Sequence, residues 1–482
     1  MSLPPNYDCL FDHRFSAKNR NLSLPKYNLE KTEIGQVHLG MGQFFRAHQA
    51  VYTETLLNQN SGPWGYSAIN FSSEEPAQKM KAQNFLYTVT REGTSPSTQV
   101  VGSIREALTL SKDFKSAVDR LTSEGTKVIT LTVTEKGYHF DFAKRQLNLL
   151  SPSIAKDLAS PNEPRTAIGL LAHILEKRFQ SHRAPLTIIS CDNLSDNGDI
   201  LKKCVLDFLN EVRSPAATWV EASIGFPNSM VDRIVPKYDD INFETKKKKY
   251  GLSDGLAIFT EEHIDWVIEN KFTCERPPWE AAGVKIVSSV KPYELLKLRV
   301  LNGAHSILAY LGLLKKYEKV YQASQDNEIR ELIQEYWKFV VKPTLAEVDS
   351  AYIDNYCNTT LRRFQNPDVN HFLAQIAQDG SVKIVQRWLP LYFSHKSSNA
   401  KPIPKILFQI FSYWILFLFK SLEQNQILQD PKADHLNNIW ETLHSKNKNA
   451  IELARLAELL PEEILFNNEF VEVFKREQQR FS

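Results

Sequence analysis

The sequence predicts an α/β fold in which a mainly parallel sheet domain is followed by a mostly α-helical one. Three observations predict it. A short apolar strand at 36–39 runs into the turn Gly40-Met41-Gly42 and then into a helical pattern reaching about Asn58. Two β-branched runs, at 127–134 and 186–190, are each preceded by a helical pattern, at about 112–124 and 164–181. Strands alternating with helices build a parallel sheet, whose ligands gather beyond the carboxyl ends of its strands. From Pro292 onward the pattern is almost entirely helical, broken near Pro343, Pro367 and Pro402. The boundaries fall at 1–32 for an irregular N-terminal segment, 33–290 for the sheet domain and 291–482 for the helical domain.

Taken in order, residues 1–32 are polar and punctuated by Pro4, Pro5 and Pro25. Strand, glycine turn and helix then open a Rossmann-type, dinucleotide-binding pattern. Its glycines let the backbone approach a pyrophosphate, and the helix start offers unpaired N–H groups. The third glycine of G-x-G-x-x-G is missing, with Phe45 and Arg46 in its region, so the motif alone also fits a tight turn. Residues 64–71 form the second strand, followed by Ser72-Ser73-Glu74-Glu75 with no arginine before Arg91. An acid after this strand holds ribose hydroxyls and a base accommodates a 2′-phosphate, so the segment points to NAD over NADP. The next two strands end in Glu135-Lys136-Gly137-Tyr138 and Cys191-Asp192-Asn193, placing Glu135 and Asn193 on the ligand-binding edge. Taken by itself, Asn193 reads first as an ordinary cap or turn residue. The lysines at 246–249 read as a solvated loop, 261–270 as a short helix carrying Trp266, and 284–290 as the last strand.

The helical half opens on the stretch from Tyr293 to about Leu314, which no proline interrupts. At ~100° per residue, with Lys297 at zero, Glu294 falls near ~60°, His305 near ~80° and Asn302 near ~140°. One helix then aims an amine, a carboxylate, an imidazole and an amide into the same space. A buried lysine loses ammonium solvation, which brings it toward the range where it acts as a base. A solvated polar stripe with His305 as a core histidine explains this stretch alone equally well.

Composition excludes several classes. The 58 basic and 56 acidic residues nearly cancel, leaving no global field for nucleic acid or a membrane surface. Five scattered cysteines without a C-x-x-C pair fit a reducing compartment and give no metal signature. No basic region followed by an apolar run marks a signal peptide. The most apolar run, 406–419, is too short to span a bilayer and reads as a buried helix. A cytoplasmic protein, monomeric or a small homo-oligomer, is expected, with no internal repeat.

Read together, the segments resemble the mannitol dehydrogenase family of polyol and aldonate dehydrogenases. The likeness rests on G-x-G-x-F-x-R-A-H-Q-A at 40–50, L-T-V-T-E-K-G-Y at 131–138 and S-C-D-N at 190–193. It continues through M-V-D-R-I at 230–234, K-x-R-x-x-N-G-x-H at 297–305, R-F-x-N-P at 363–367 and D-G-S-x-K at 379–383. The resemblance implies a Rossmann-type domain, a helical domain and an active site in the cleft between them, working with NAD and without metal. Carried over, Lys297 is the general acid/base, and Asn193 and Asn302 donate hydrogen bonds to the developing alkoxide. His305 orients substrate, Arg363 contributes substrate hydrogen bonds, and Glu294 and Glu135 match positions of proton passage. Gly40, Gly42, Phe45 and Arg46 fall in the nucleotide turn, and Val231 and Asp232 match positions on the nicotinamide side. Family members often carry C-E-P-F-x-Q-W where this chain has Thr260-Glu261-Glu262-His263-Ile264-Asp265-Trp266, so its pocket details differ.

Substrates of such enzymes are neutral, as mannitol and fructose, or carry a carboxylate, as mannonate and fructuronate. A carboxylate calls for a hydrogen-bonding cation. Lys136 stands where mannitol enzymes commonly have glycine, and Arg387 follows the D-G-S-x-K motif; both suit a sugar acid. The segment F-P-N-S-M-V-D-R-I looks more like the mannitol enzymes. The expectation is a fructuronate reductase type of activity, with mannitol 2-dehydrogenase as the alternative. A nucleotide sensor that has lost catalysis is the third reading, opposed by the intact Lys297, Asn302, His305 and Asn193.

Overall fold

The computed structural model describes residues 5–12, 21–93, 95–367, 371–397, 402–443 and 449–481. Pro4 lies outside them. The chain divides into two compact units, Met1–Lys291 and Pro292–Ser482.

The first unit is built on six strands: β1 (Ile34–Leu39), β2 (Gly65–Asn70), β3 (Ile104–Thr109), β4 (Val128–Leu131), β5 (Leu186–Ser190) and β6 (Ile224–Gly225). They lie in the order β6-β5-β4-β1-β2-β3, and every pair is parallel. Both faces are covered, which is why these strands read as apolar runs without polar alternation. Val37, Leu39, Ile129, Leu131 and Ile188 point into one core with the helices Phe114–Thr122, Ala167–Ser181 and Asn197–Glu211. Tyr66, Ala68 and Ala107 point the other way, against Phe45, Ala50, Val51 and Met80. The order reverses between β1 and β4, so the crevice that α/β sheets use for ligands lies at their carboxyl ends.

Several expectations change. The 261–270 segment is not a helix: Asp265–Glu269 is a strand between Ser229–Asp232 and Lys285–Val287. Its β-branched and aromatic residues are wholly buried, and that burial outweighs any helical pattern. The lysines at 246–249 lie not in a loop but in helix Asp240–Tyr250, three of them, Lys247, Lys248 and Lys249, in its last turn. Asp239 caps its start through Asn242 N (2.8 Å), Gly251 ends it at φ +64°, and the cations sit at the negative end of the helix dipole. Lys246 is no solvated residue either, since it pairs at 2.5 Å with the buried Glu92. The N-terminal segment is more ordered than its composition suggests. Pro5–Leu10 is a 3₁₀-helix, and Asn21–Ser23 adds a strand to a second sheet made with Ser97–Val101, Tyr87–Arg91 and Ile258–Thr260.

The second unit is helical around one core. Gly303–Leu314 packs on Lys405–Glu423, the helix that contains the 406–419 run. At 19 residues this helix is longer than the run suggested and apolar enough to pass for a membrane span, yet most of it is buried inside the unit.

Glu54, on helix Gln49–Leu57, is fully buried and accepts hydrogen bonds from Tyr27 Oη (2.7 Å) and Gly102 N (2.8 Å). Burial pushes its carboxyl up to about 7, against the lowering effect of those bonds. A folded-state value above the unfolded one stabilises in full below about pH 4.5, and the gain is lost as pH rises through about 7. At ~1.36 kcal/mol per pH unit the loss amounts to about 3 kcal/mol. Glu54→Gln should therefore flatten the fall in melting temperature between pH 5 and pH 8.5 measured by scanning fluorimetry; parallel curves for the two proteins would refute this.

Candidate active site

In the sheet unit the turn after β1 is fixed from several sides. Gly40 adopts φ +100°, and a Cβ there would collide with the Thr132 carbonyl, so only glycine lets β1 and β4 approach this closely. His38 bridges the same strands, with Nδ1 2.7 Å from Thr130 Oγ1 and Nε2 2.9 Å from Thr132 Oγ1. Burial holds its imidazole well below the usual histidine range, hence neutral. Above Gly42, where helix Gln43–Ala47 begins, a Cβ would meet nothing within 4 Å. Open space over a helix start with unpaired N–H groups suits a diphosphate.

Phe45 and Arg46 do not serve this turn as expected. Phe45 is fully buried, with its ring flat on His38 at 3.6 Å. That aromatic layer replaces the close helix–sheet packing a third glycine would give. Arg46 donates Nη1 to the Leu256 carbonyl (2.7 Å) beneath the sheet, and burial lowers its pKa. Both side chains belong to the core. Beyond β2, Glu74 and Glu75 make surface pairs with Lys112 (2.8 Å) and Lys79 (2.7 Å), and Glu74 also accepts from Gln78 Nε2 (3.1 Å); such surface contacts exchange easily.

The edges of β4 and β5 are joined by Asp192. Its carboxylate accepts from Val133 N (3.1 Å), Thr134 N (2.8 Å) and Tyr138 Oη (2.7 Å). Desolvation raises its pKa despite these bonds. Thr134 is held at φ +65°, ψ 161°, a region that costs a β-branched residue on the order of 1–3 kcal/mol. The 3₁₀ turn Glu135–Tyr138 follows, with Tyr138 buried and Glu135 and Lys136 exposed. Asn193 is exposed beyond β5, and the Asp192 carbonyl beside it accepts from Asn197 Nδ2 (3.1 Å). Val231 and Asp232 are buried in the strand Ser229–Asp232, where Val231 packs with Ile189 and Cys191 at the end of β5 and the Asp232 carboxylate is 3.3 Å from His263 Nε2.

In the helical unit Lys291–Leu296 carries Glu294, and the segment then changes pitch. Lys297–Asn302 is a π-helical turn, after which Gly303–Leu314 resumes as α-helix. A π turn advances each residue by less than the ~100° of an α-helix. Asn302 therefore swings toward the Lys297 face, where a regular helix would leave it ~140° away. Glu294, Lys297 and Asn302 are half-buried and His305 is buried. The His305 ring lies 4.7 Å from Phe364 and 5.3 Å from His371, whose own pKa burial lowers. Arg363, next to Phe364 on helix Ser350–Phe364, is buried as well.

The carbonyls of the π turn are met by side chains from far along the chain. Tyr336 Oη donates to Arg299 O (2.9 Å) and Trp337 Nε1 to Val300 O (3.0 Å). Arg387 Nη1 donates to Asn302 O (3.0 Å) and Ser306 Oγ (2.8 Å), and Trp388 Nε1 to Gly303 O (3.2 Å). Gly303 admits Tyr336, whose hydroxyl would clash with any Cβ. Arg387, expected to meet a substrate carboxylate, is thus engaged within the fold, because a desolvated guanidinium needs fixed acceptors. Sequence reasoning missed Tyr336, Trp337, Trp388, His371 and Asp192. Each lies dozens of residues from what it contacts, and only Asp192 sat inside a motif singled out beforehand. Lys383, of the D-G-S-x-K motif, is half-buried with Nζ on Ile376 O (3.2 Å).

Residues 34–281 match the mannitol dehydrogenase Rossmann domain, and residues 289–481 match the mannitol dehydrogenase C-terminal domain. A D-mannonate oxidoreductase of Escherichia coli is 37% identical over 77% of this chain and 77% of its own length. A mannitol 2-dehydrogenase of Phaeosphaeria nodorum is 34% identical over 88% of this chain and 76% of its own. A Pseudomonas fluorescens mannitol 2-dehydrogenase, solved as a ternary complex with NAD and D-mannitol, superposes with a TM-score of 0.75 at 30% identity, covering 96% of this chain and 95% of that one. With both of its domains matched, the chain belongs to the mannitol dehydrogenase family.

Proposed function

We propose that this protein is an NAD-dependent oxidoreductase that interconverts a secondary hydroxyl and a ketone on an open-chain sugar acid, the D-mannonate/D-fructuronate pair. The observation that carries the reading is the π-helical turn with Lys297 and Asn302, flanked by Glu294 just before it and His305 just after it, in a family member. NAD, when bound, supplies the acceptor for the substrate hydride, and its reduced form supplies the donor. Gly40 and Gly42 leave room for the diphosphate. Lys297, as a neutral amine, takes the proton of the substrate hydroxyl as its carbon becomes a ketone; in the reduction its ammonium returns the proton to the alkoxide. The Asn302 amide donates a hydrogen bond to the oxygen as charge develops there, and Asn193 is the sheet unit's candidate for the same role. His305 orients substrate, Arg363 adds hydrogen bonds, and Glu294 and Glu135 pass the proton to solvent. Val231 and Asp232 are assigned to the nicotinamide side.

Lys136 supports the sugar acid. Its ammonium is exposed in the 3₁₀ turn that follows the strained Thr134, and a carboxylate is the natural partner of such a cation. The mannitol/fructose pair is the second reading, favoured by the 226–234 segment and by the similarity to mannitol 2-dehydrogenases.

Lys297→Ala should lower kcat by at least ~10²-fold at every pH with NADH affinity near wild type; a variant keeping half the wild-type turnover would sink the assignment. NAD(H) should be preferred over NADP(H), given Glu74 and Glu75 after β2, and equal kcat/KM with the two cofactors would refute that preference. Fructuronate should exceed fructose in kcat/KM, and Lys136→Met should cost fructuronate roughly tenfold to a hundredfold while fructose loses little. If Lys136→Met lowers both substrates by one factor, the contact is wrong; if wild type prefers fructose, the mannitol reading stands.

A further inference from the structure

The π turn Lys297–Asn302 meets side-chain donors on three of its carbonyls, at 299, 300 and 302, and a fourth donor meets the carbonyl of Gly303 just after it. They come from two places only, the adjacent pairs Tyr336-Trp337 and Arg387-Trp388. Tyr336 and Trp337 themselves begin a second π-helical turn, Tyr336–Val341. A buried carbonyl has two lone pairs, and a regular helix satisfies it with one amide. Three side-chain donors on the turn and a fourth just after it are more than local packing requires. Their common effect is to hold the backbone in the wider pitch, which is the geometry that brings Asn302 toward the face of Lys297.

Resting on the assignment of Lys297 as acid/base, we infer that Tyr336, Trp337, Arg387 and Trp388 are positioning residues that lock this turn in its π form and so set the relative aim of Lys297 and Asn302. Tyr336 is fully buried and Gly303 makes way for its hydroxyl, which donates to the Arg299 carbonyl. Arg387 adds a charge-assisted bond at the carbonyl of Asn302 itself and ties it to Ser306 one turn on. If the turn relaxes to α-helical pitch, Asn302 rotates away from the lysine, and misplacement of this order costs turnover more than binding.

The test uses the full chain with Tyr336→Phe, which removes one hydroxyl, together with Arg387→Met and Arg387→Lys. For each, kcat and KM are measured on fructuronate and fructose across pH, alongside NADH affinity and melting temperature. The expected result is a fall in kcat of roughly tenfold to a hundredfold on both substrates for Tyr336→Phe and Arg387→Met. The pH profile of kcat should shift, NADH affinity should hold, and Arg387→Lys should recover part of the loss. Wild-type kcat and pH profile with only a lower melting temperature would overturn the inference, since that is all a structural contact would move. A rise in KM for fructuronate alone in Arg387→Met would overturn it at that residue by restoring a substrate contact. If Arg387→Met does not fold, Tyr336→Phe decides. Lys297→Ala in the same series separates the two ideas: turnover retained there defeats the acid/base reading, whereas turnover lost there but kept in Tyr336→Phe and Arg387→Met defeats only the positioning role.

Discussion

Backbone groups away from water must find partners, and in this protein several that regular secondary structure leaves over lie next to the candidate site residues. In the helical unit those groups are carbonyls, and neutral and charged N–H and O–H donors from Tyr336, Trp337, Arg387 and Trp388 meet them. In the sheet unit they are the amides of Val133 and Thr134, beyond the end of β4, and the Asp192 carboxylate meets them. The two solutions mirror each other, donors for carbonyls in one unit and an acceptor for amides in the other. In each case the polar partner is itself desolvated, which raises the cost of leaving the arrangement half made.

Much of the fold was legible in the sequence because its signals are local. The apolar runs of β1, β2, β4 and β5, the helices between them and the helical second half follow from periodicity. The small sheets were not legible. Ser229–Asp232, Asp265–Glu269 and Lys285–Val287 are short, and only mutual pairing makes them strands. The lysine run was misread for a related reason. Asp239 and Gly251 are good helix signals, but a cluster of four like charges outweighed them in a reading by composition.

The candidate site divides in the same way. Lys297, Asn302, His305 and Glu294 could be grouped from one stretch because a helix turns spacing into proximity. Its pitch could not be read, since a π turn is imposed here by residues near 336 and 387 that no local rule connects to 297. Phe45 and Arg46 show the opposite limit. They fall inside a recognisable motif, yet the structure turns both side chains inward, to His38 and to the Leu256 carbonyl. Membership of a motif located the turn but did not assign its side chains.

The strained Thr134 carries a consequence for protein engineering. Glycine adopts this combination of positive φ and extended ψ more cheaply than a β-branched residue, so an exchange to glycine here would gain heat resistance. The same exchange would loosen the backbone that presents Glu135 and Lys136, immediately downstream. Selection on thermal tolerance alone would therefore exchange a fixed presentation of these two side chains for stability at this spot.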